Sequence, residues 1–351
     1  MMSRIELVRQ DAEAVVANRT HLLSSLRNSH IFITGGTGFL GTWLLELLSV
    51  LNAKHNFNIQ ASVLSRSALQ FAEKYKHLGS RPEFRFINGD IRYLTEVPRA
   101  TNYIIHAAAL TDRRLFASNP TLVGEVNAVG AMRLLRAADL LDDLKQIVLV
   151  SSGLVAGPQA LNVERIDENY TSGIPCNTAN AIYPESKRFA ESMATSFVSE
   201  SKLPLVIVRP FAFLGPYQSL ELPWAITDFI RDSLAGRPIK IMGDGSTVRS
   251  LMYASDYAFW TLAALSRGTP REVYNIGSPE GIHLLALAKL ITQHFSPLPE
   301  ILTKVGQSGH DATRLVPNIA KAQRDLGVQV TVSLSDAIQN TITWHKTAAS
   351  S

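Results

Sequence analysis

The stretch from Ile31 to Gly41, with the sequence IFITGGTGFLG, constrains the fold of this chain more than any other. Apolar, β-favouring residues run into a glycine cluster, and an apolar helical pattern begins at Phe39, which predicts strand, tight turn and helix. Gly35 can take a backbone conformation that a Cβ forbids, Gly38 lets the main chain approach a pyrophosphate, and Gly41 lets the helix pack closely. The helix N-terminus then faces phosphates with free N–H groups. The stretch predicts a dinucleotide site, and the alternative is a glycine turn between core elements.

Further strands alternate with helices along the first half of the chain. We predict strands at Ile59–Leu64, Phe84–Ile87, Tyr103–His106 and Gln146–Val150, with helices over 67–78 and from Asn127 to near Leu141. The last of these strands is nearly all apolar, as a strand covered by helices on both faces must be. With no internal repeat, this alternation predicts an α/β fold with a doubly wound parallel sheet of the Rossmann type.

Composition limits the classes of function. The 351 residues are 46% apolar and 18% charged, a globular balance, and the net charge of +4 is spread without a basic run. This argues against a nucleic-acid partner and suits an anionic small substrate. Cys176 is the only cysteine, so we expect no disulfide, no metal site and a reducing compartment. The apolar run near residue 40 meets Glu46 too soon to span a bilayer, so we expect a cytoplasmic protein without a membrane partner.

A serine and a Tyr–Lys pair form the candidate catalytic group. Ser152 follows the strand that ends at Val150, and Tyr183 and Lys187 lie four residues apart at the start of a predicted helix, on one face of it. A phenol with a pKa near ~10 is a poor base at neutral pH. We expect the Lys187 ammonium and a positive nicotinamide to lower the pKa of Tyr183, while Ser152 hydrogen-bonds the same substrate oxygen. The alternative is a surface Tyr–Lys pair, although Tyr183 alone of nine tyrosines has this lysine.

The residues after the second and third strands bear on the cofactor. An acid at the end of the second strand binds a free ribose 2′-hydroxyl, whereas an arginine accommodates a 2′-phosphate. Here Ser65 replaces the acid and Arg66 follows it, which favours NADP slightly over NAD. The alternative is that Arg66 only caps the strand or stacks on adenine. Asp90 comes just past the third strand, where adenine would lie, and His106 is predicted to be a core histidine.

These motifs resemble the extended short-chain dehydrogenase/reductase family, in its NAD-dependent epimerase/dehydratase group that acts on nucleotide sugars. TGGTGFLG looks like the cofactor loop of that group, NGDI its adenine contact, IIHAAA its fourth strand, VSSGLVAG its serine segment and YPESKR its Tyr–Lys pair. The resemblance implies that Ser152, Tyr183 and Lys187 are catalytic, with Lys187 also holding the nicotinamide ribose. It further implies cofactor contacts by Gly35, Thr37, Gly38, Phe39, Leu40, Gly41, Asp90, Ile91, Ala107, Ala108 and Ala109.

The same resemblance extends to the substrate. GDGSTVR, ending at Arg249, and GHDATR, ending at Arg314, are similar to two segments whose arginines grip a diphosphate. Two planar, permanently charged guanidiniums suit a nucleoside diphosphate, and the alternative for each is a surface residue in a turn. The implied partner is a nucleotide-diphosphate sugar, contacted by Ser152, Tyr183 and both arginines. The family pattern also implies a homodimer through helices near 115–140 and 183–200.

Three regions follow from the pattern and the resemblance together. We predict an N-terminal helical extension over 1–29, a dinucleotide-binding Rossmann domain over 30–212, and a smaller mixed α/β substrate domain over 213–351. A strand near 273–276 is expected to return to the main sheet.

Departures from the family pattern bear on the reaction. Dehydratases and decarboxylases of the group place an acid one or two residues after the catalytic Ser or Thr, where this chain has Gly153 and Leu154. Ala156 also stands where the group usually has a Tyr, and Ala212 where it often has an Asn. Both changes imply a larger or less polar sugar pocket. We therefore favour a nucleotide-sugar epimerase. The alternatives are an NADPH-dependent ketoreductase, a 4,6-dehydratase and a catalytically idle, cofactor-binding regulator.

Overall fold

The computed structural model describes residues 3–160, 162–201, 203–304 and 313–347. Its strands are β1 (His30–Thr34), β2 (Gln60–Ser65), β3 (Phe84–Asn88), β4 (Tyr103–His106), β5 (Gln146–Val150), β6 (Leu205–Pro210), β7 (Ala212–Leu214), β8 (Ile239–Ile241), β9 (Val248–Tyr253), β10 (Val273–Ile276), β11 (Gly281–His283), β12 (Ile301–Thr303) and β13 (Arg314–Leu315).

Its α-helices are α1 (Arg4–Val16), α2 (Phe39–His55), α3 (Ala68–Lys74), α4 (Lys76–Gly79), α5 (Arg113–Ser118), α6 (Pro120–Gly124), α7 (Gly130–Ala138), α8 (Ile182–Ser201), α9 (Ala225–Leu234), α10 (Ala254–Arg267), α11 (Leu284–Thr292), α12 (Ala320–Leu326) and α13 (Leu334–Lys346). A π-helical turn covers Glu125–Val129, and 3₁₀ turns cover Thr20–Leu26, Ile91–Tyr93, Gly153–Ala156 and Ala179–Ala181.

The central sheet confirms the predicted doubly wound α/β fold. Seven parallel strands lie in the order β10-β6-β5-β4-β1-β2-β3. Because the chain leaves β1 toward β2 and later returns to β4 on its other side, a crevice opens between the carboxyl ends of β1 and β4. Ligands of open α/β sheets bind at such a reversal of strand order.

Helices cover both faces of this sheet, which explains why its strands are apolar throughout. Successive residues of a strand face opposite sides, so Ile31 and Ile33 pack with α2 and α10 while Phe32 packs with α7 and α8. None of the helices in the described ranges is long and apolar enough to cross a membrane.

A smaller set of strands lies beside the main sheet. β9 pairs with β7 and β13 in parallel and with β11 antiparallel, and β8 pairs with β12. β10 instead pairs with β6 at the edge of the main sheet. The boundaries of the three predicted regions stay a prediction.

Two helical predictions need correction. The helix expected over 67–78 is two short helices, because the backbone at Tyr75 leaves helical geometry (φ −109°, ψ 66°) and its ring packs on Phe71 and Tyr217. The stretch expected from Asn127 to near Leu141 starts earlier, at α6, and ends at Ala138. Pro120 starts the helix α6, as suits a residue without an N–H, and Asn127 lies inside the π-helical turn.

The helix α1 is tied to the rest of the chain by a buried carboxyl group. The Tyr253 hydroxyl and the Asn340 amide both donate hydrogen bonds to Asp11. Burial raises the pKa of Asp11 from 3.8 to about 6. The folded state therefore binds a proton more tightly than the unfolded state, and this group's contribution to stability falls as the pH rises from about 4 to about 6.

We expect Tyr253→Phe to destabilise the protein more at pH 8 than at pH 5. At pH 8 the half-buried Asp11 is ionised, so the variant loses a hydrogen bond to a charged group, worth about 1.5–3 kcal/mol. At pH 5 Asp11 is protonated, and the lost bond joins two neutral groups and is worth about 0.5–1.5 kcal/mol. Urea unfolding at both pH values measures the difference. Tyr93→Phe, at a side chain 73% exposed, is the control. Equal losses at the two pH values would contradict the role given to Asp11.

Candidate active site

The glycine turn after β1 packs so closely that side chains are excluded. Gly35 has φ +70°, and a Cβ there would lie 2.6 Å from the Cα of Ala108. A Cβ on Gly41 would lie 2.3 Å from the Cα of Gly36. At Gly38, the N-cap of α2, the nearest protein atom to an added Cβ is the Gly35 carbonyl oxygen at 3.3 Å. The turn therefore presents bare backbone and the N-terminus of a 17-residue helix at the crevice, which fits a pyrophosphate.

The other residues of the predicted cofactor loop hold the turn in place. The ring of Phe39 stacks on Phe213 at 5.4 Å between centroids, and Leu40 is buried in the core. The Thr37 hydroxyl hydrogen-bonds the Ser65 hydroxyl at the end of β2, at 2.6 Å. These contacts bring the ends of β1 and β2 together, where the adenosine half of a dinucleotide would lie.

Asp90 is more strongly held than the sequence indicates. Both of its carboxylate oxygens accept hydrogen bonds from the Arg92 guanidinium, which also pairs with Glu125 at 2.7 Å. This hydrogen bonding by Arg92 lowers the pKa of Asp90. Arg66 lies nearby, exposed, and its charge lowers that pKa further. Since Arg92 occupies the Asp90 carboxylate, the Arg66 guanidinium is left for another anion.

Residues after β4 form the floor of the crevice. The half-buried Ala107, Ala108 and Ala109 follow His106, and the Ala107 N–H donates to the Thr34 carbonyl. The Nδ1 atom of His106 lies 2.7 Å from the Thr34 hydroxyl, and burial lowers the pKa of His106 to about 3. His106 is thus a neutral, buried histidine, in accord with the prediction for it.

Tyr183 and Lys187 are both buried on α8. The Lys187 ammonium donates to the Val150 carbonyl at 2.8 Å, at the carboxyl end of β5, and burial lowers its pKa to about 8. The Tyr183 ring stacks on Phe116, with centroids 5.0 Å apart and planes at 12°. The structure therefore brings the predicted Tyr–Lys pair to the carboxyl edge of the sheet, beside Ser152.

Without a bound nicotinamide, the protein groups alone shift the pKa of Tyr183 upward. Burial raises the pKa of Tyr183 to about 12, and only the hydrogen bond with Ser152 opposes that rise. The charge of Lys187 can be read from the sequence, but the burial of Tyr183 cannot. Burial removes water from around the phenol and favours its neutral form.

Ser152 is positioned by a turn that leaves no room for a neighbouring side chain. Its hydroxyl accepts a hydrogen bond from the Leu154 N–H at 3.2 Å, at the start of a 3₁₀ turn. A Cβ on Gly153 would lie 2.8 Å from the ring of Phe211. Residue 153 therefore stays without a side chain unless Phe211 moves.

Asn127 is a site residue that sequence reasoning did not single out. It is buried in the π-helical turn, and its amide donates to the Ser186 hydroxyl at 3.0 Å, next to Lys187 along α8. An asparagine inside a helical pattern gives no sequence sign of such a turn.

The two predicted diphosphate arginines are placed differently. In the parallel pair of β9 and β13, Arg314 lies opposite Val248 and Leu315 opposite Arg249. Side chains of paired residues point to the same face, so Arg249 and Arg314 point to opposite faces of this sheet. Arg249 donates to the Thr313 hydroxyl at 2.8 Å and Arg314 to the Glu164 carbonyl at 3.3 Å. The part of the GHDATR segment before Thr313 lies outside the described residues.

Comparisons with known proteins agree with this geometry. The family model described as the NAD dependent epimerase/dehydratase family matches residues 31–277. UDP-glucuronic acid decarboxylase 3 of Arabidopsis thaliana is 26% identical over 313 residues, covering 89% of this chain and 87% of that protein. An epimerase of Methanothermobacter thermautotrophicus has a TM-score of 0.80 at 22% identity, over 95% of this chain and 97% of its own. UDP-glucose 4-epimerase of Thermotoga maritima, solved with UDP-glucose, has a TM-score of 0.76 at 21% identity. The match covers 91% of this chain and 99% of that one.

We expect Tyr183→Phe to lower turnover by on the order of 10² or more, the usual contribution of a positioned acid–base group. The variant keeps the ring that stacks on Phe116, so cofactor affinity, measured by quenching of protein fluorescence, should stay close to wild type. Lys187→Ala should weaken cofactor binding as well. Near-normal turnover of Tyr183→Phe would remove Tyr183 from the catalytic group.

Proposed function

Since the chain belongs to the NAD dependent epimerase/dehydratase family, it is an NAD(P)-dependent enzyme, and we propose that it epimerises a nucleotide sugar. The Arabidopsis thaliana relative at 26% identity is a UDP-glucuronic acid decarboxylase, so family membership alone leaves the reaction open. The turn that follows β5 favours one reaction over the others.

The observation that carries the proposal is that neither of the two residues after Ser152 is an acid. Elimination of water needs a proton delivered to the departing hydroxyl, and the family pattern supplies it from an acid one or two residues after the serine. Here Leu154 is apolar, and the ring of Phe211 fills the space that a side chain at Gly153 would need. An epimerase needs no such donor, because it only removes and returns one proton and one hydride.

The residues present support reversible oxidation of a sugar hydroxyl. When bound, the nicotinamide supplies the hydride acceptor and donor. Tyr183 takes the proton of the sugar hydroxyl and later returns it, while Ser152 holds the same oxygen by a hydrogen bond. Because burial raises the pKa of Tyr183 to about 12, the phenol stays protonated at neutral pH until positive charge beside it stabilises the phenolate. Lys187 is buried on the same helix, but its ammonium donates to the Val150 carbonyl, so we assign that positive charge to the bound cofactor.

The cofactor proposal is that NADP is preferred to NAD. Ser65 ends β2 where an acid would repel a 2′-phosphate, and its hydroxyl is tied to Thr37. Arg66 is exposed beside it, and Asp90, an acid whose pKa its charge lowers, is already bound by Arg92. A free guanidinium at this position suits a ribose 2′-phosphate. The same observation favours a second candidate function, an NADPH-dependent ketoreductase.

We also propose that the protein forms a homodimer and that it is located in the cytoplasm. The helix α8 buries Ala190 and Ala194 against the sheet but exposes 55% of Phe189 on its outer face. A large apolar side chain on the outside of an otherwise amphipathic helix suits contact with a second copy through helices near 115–140 and 183–200. The cytoplasmic location rests on the single cysteine, Cys176.

The reaction class is tested by the mass and stereochemistry of the product. We expect the purified enzyme, with cofactor at a tenth of the substrate concentration, to convert a nucleotide sugar to a product of unchanged mass with one inverted carbon in its NMR spectrum. A ketoreductase would consume reduced cofactor one for one and add two hydrogens, a dehydratase product would lack one water, and a decarboxylase product would lack carbon dioxide. Tyr183→Phe is the control for a contaminating activity, and loss of water would refute the argument from Gly153 and Leu154.

We expect the wild-type protein to bind NADP more tightly than NAD by about 1.5–3 kcal/mol, the value of a hydrogen bond to a charged group. Arg66→Ala should erase the preference by weakening NADP binding alone. Arg99→Ala, which removes one exposed positive charge elsewhere, should leave it unchanged. Equal affinities of the wild type for both cofactors would make Arg66 a structural residue.

A further inference from the structure

Arg113 lies at the rim of the candidate site and was not part of the sequence prediction. It is the first residue of α5, which follows the loop after β4. Phe116 comes three residues later and stacks on Tyr183. Residues three apart lie on one side of a helix, so Arg113 is on the side of α5 that faces the proposed catalytic tyrosine, one turn before Phe116.

The Arg113 side chain extends toward the smaller set of strands. Its guanidinium carbon lies 5.9 Å from the centre of the Trp224 ring, which directly precedes α9. Its charge also acts on Arg249 of β9: burial first, and Arg113 second, lower the pKa of Arg249. Arg113 is therefore linked to both parts of the site: it lies one helical turn from Phe116, which stacks on Tyr183, and its charge acts on Arg249.

Among the residues that the structure describes, no carboxylate neutralises either of these two guanidiniums. No ion pair of the described residues includes Arg113 or Arg249, and Arg249 donates only to the carbonyls of Val248 and Thr313 and to the Thr313 hydroxyl. The adjacent Arg114 differs, because its Nη2 atom lies 2.6 Å from an oxygen of Asp112. Two like charges kept together without a counter-charge raise the free energy of the empty site, and an anion bound near both would lower it.

A nucleotide-sugar substrate carries two places for such an anion. The diphosphate is the ligand predicted for Arg249. Arg113 lies one helical turn from the residue that stacks on Tyr183, and a sugar hydroxyl must reach Tyr183 to be oxidised. The anion nearest Arg113 is therefore one on the sugar itself. A carboxylate suits a planar guanidinium, which can donate two parallel hydrogen bonds to it.

We propose that Arg113 binds a carboxylate on the sugar, so that the substrate is a nucleotide-linked uronic acid and Arg113 selects it over the neutral sugar. This inference rests on the proposed nucleotide-sugar function and narrows its substrate. It also agrees with retention of the carboxylate. Loss of carbon dioxide leaves the electron pair of the broken C–C bond on the ring carbon and converts the carboxylate to neutral carbon dioxide, and a guanidinium that stabilises the negative charge of the carboxylate opposes that step.

The test compares three ligands with three proteins. UDP, UDP-glucose and UDP-glucuronic acid are titrated calorimetrically, in the presence of saturating oxidised cofactor, into the wild type, Arg113→Gln and Arg114→Gln. We expect the wild type to bind UDP-glucuronic acid at least tenfold more tightly than UDP-glucose. Arg113→Gln should reduce that ratio to near one, while its affinities for UDP and UDP-glucose change less than about twofold. Arg114→Gln removes the neighbouring charge, already paired with Asp112, and should keep the wild-type ratio.

A second variant and a stability control complete the test. Arg113→Lys keeps the charge without the planar fork and should retain part of the preference for the acid. The exposed Arg113 has no hydrogen bond among the described residues, so thermal melting of its variants should match the wild type.

Three outcomes would overturn the inference in different ways. Equal weakening of all three ligands by Arg113→Gln would make Arg113 a diphosphate contact. Equal wild-type affinities for UDP-glucose and UDP-glucuronic acid would remove the carboxylate from the argument while leaving the nucleotide-sugar function intact. Failure of all three ligands to bind, together with no turnover of any nucleotide sugar, would reject the proposed function and this inference with it.

Discussion

Backbone-to-backbone packing at the glycine turn is the contact on which the rest of this site depends. Gly35 lies against Ala108, and Gly41 lies against Gly36, each too closely for a Cβ. The first contact sets the end of β1 beside the residues after β4, and the second draws the start of α2 onto the turn. Together they place a helix N-terminus, two parallel strands and a bare stretch of backbone at one crevice. A side chain at either glycine would separate these elements, and the phosphate-facing surface would be lost.

The parts of the fold that sequence could predict are those with short-range signals. The turn from Gly35 to Gly41, the apolar strand β5 and the Tyr183–Lys187 spacing each depend on residues within one element or two adjacent ones. Chain order then predicted the parallel sheet, because a helix between two strands returns the chain to the edge of the sheet where the first strand began. Such patterns also predicted that His106 is a core residue, since it lies in an apolar strand.

The features that sequence missed depend on contacts between distant segments. The opposite directions of Arg249 and Arg314 follow from the register of β13 on β9, which no local pattern encodes. Arg113 of α5 acts on Arg249 of β9, although the two residues are 136 positions apart in the sequence. The rise in the pKa of Tyr183 comes from burial among groups such as Phe116, and burial outweighs the hydrogen bond with Ser152 that opposes it. The π-helical turn at Asn127 likewise has no residue pattern of its own.

The charges of the site show why its ligands must arrive together. Burial holds Tyr183 as a neutral phenol and lowers the pKa of Lys187 to about 8, so the protein alone disfavours the phenolate that catalysis needs. Arg113 and Arg249 meanwhile carry positive charge that no described carboxylate neutralises. A positive nicotinamide would stabilise the phenolate, and an anionic substrate would neutralise the arginines. Each ligand thus supplies a charge that the folded chain lacks at a different point of one crevice. The base therefore depends on the positive charge of the bound cofactor, and the substrate anion supplies the counter-charge of the arginines.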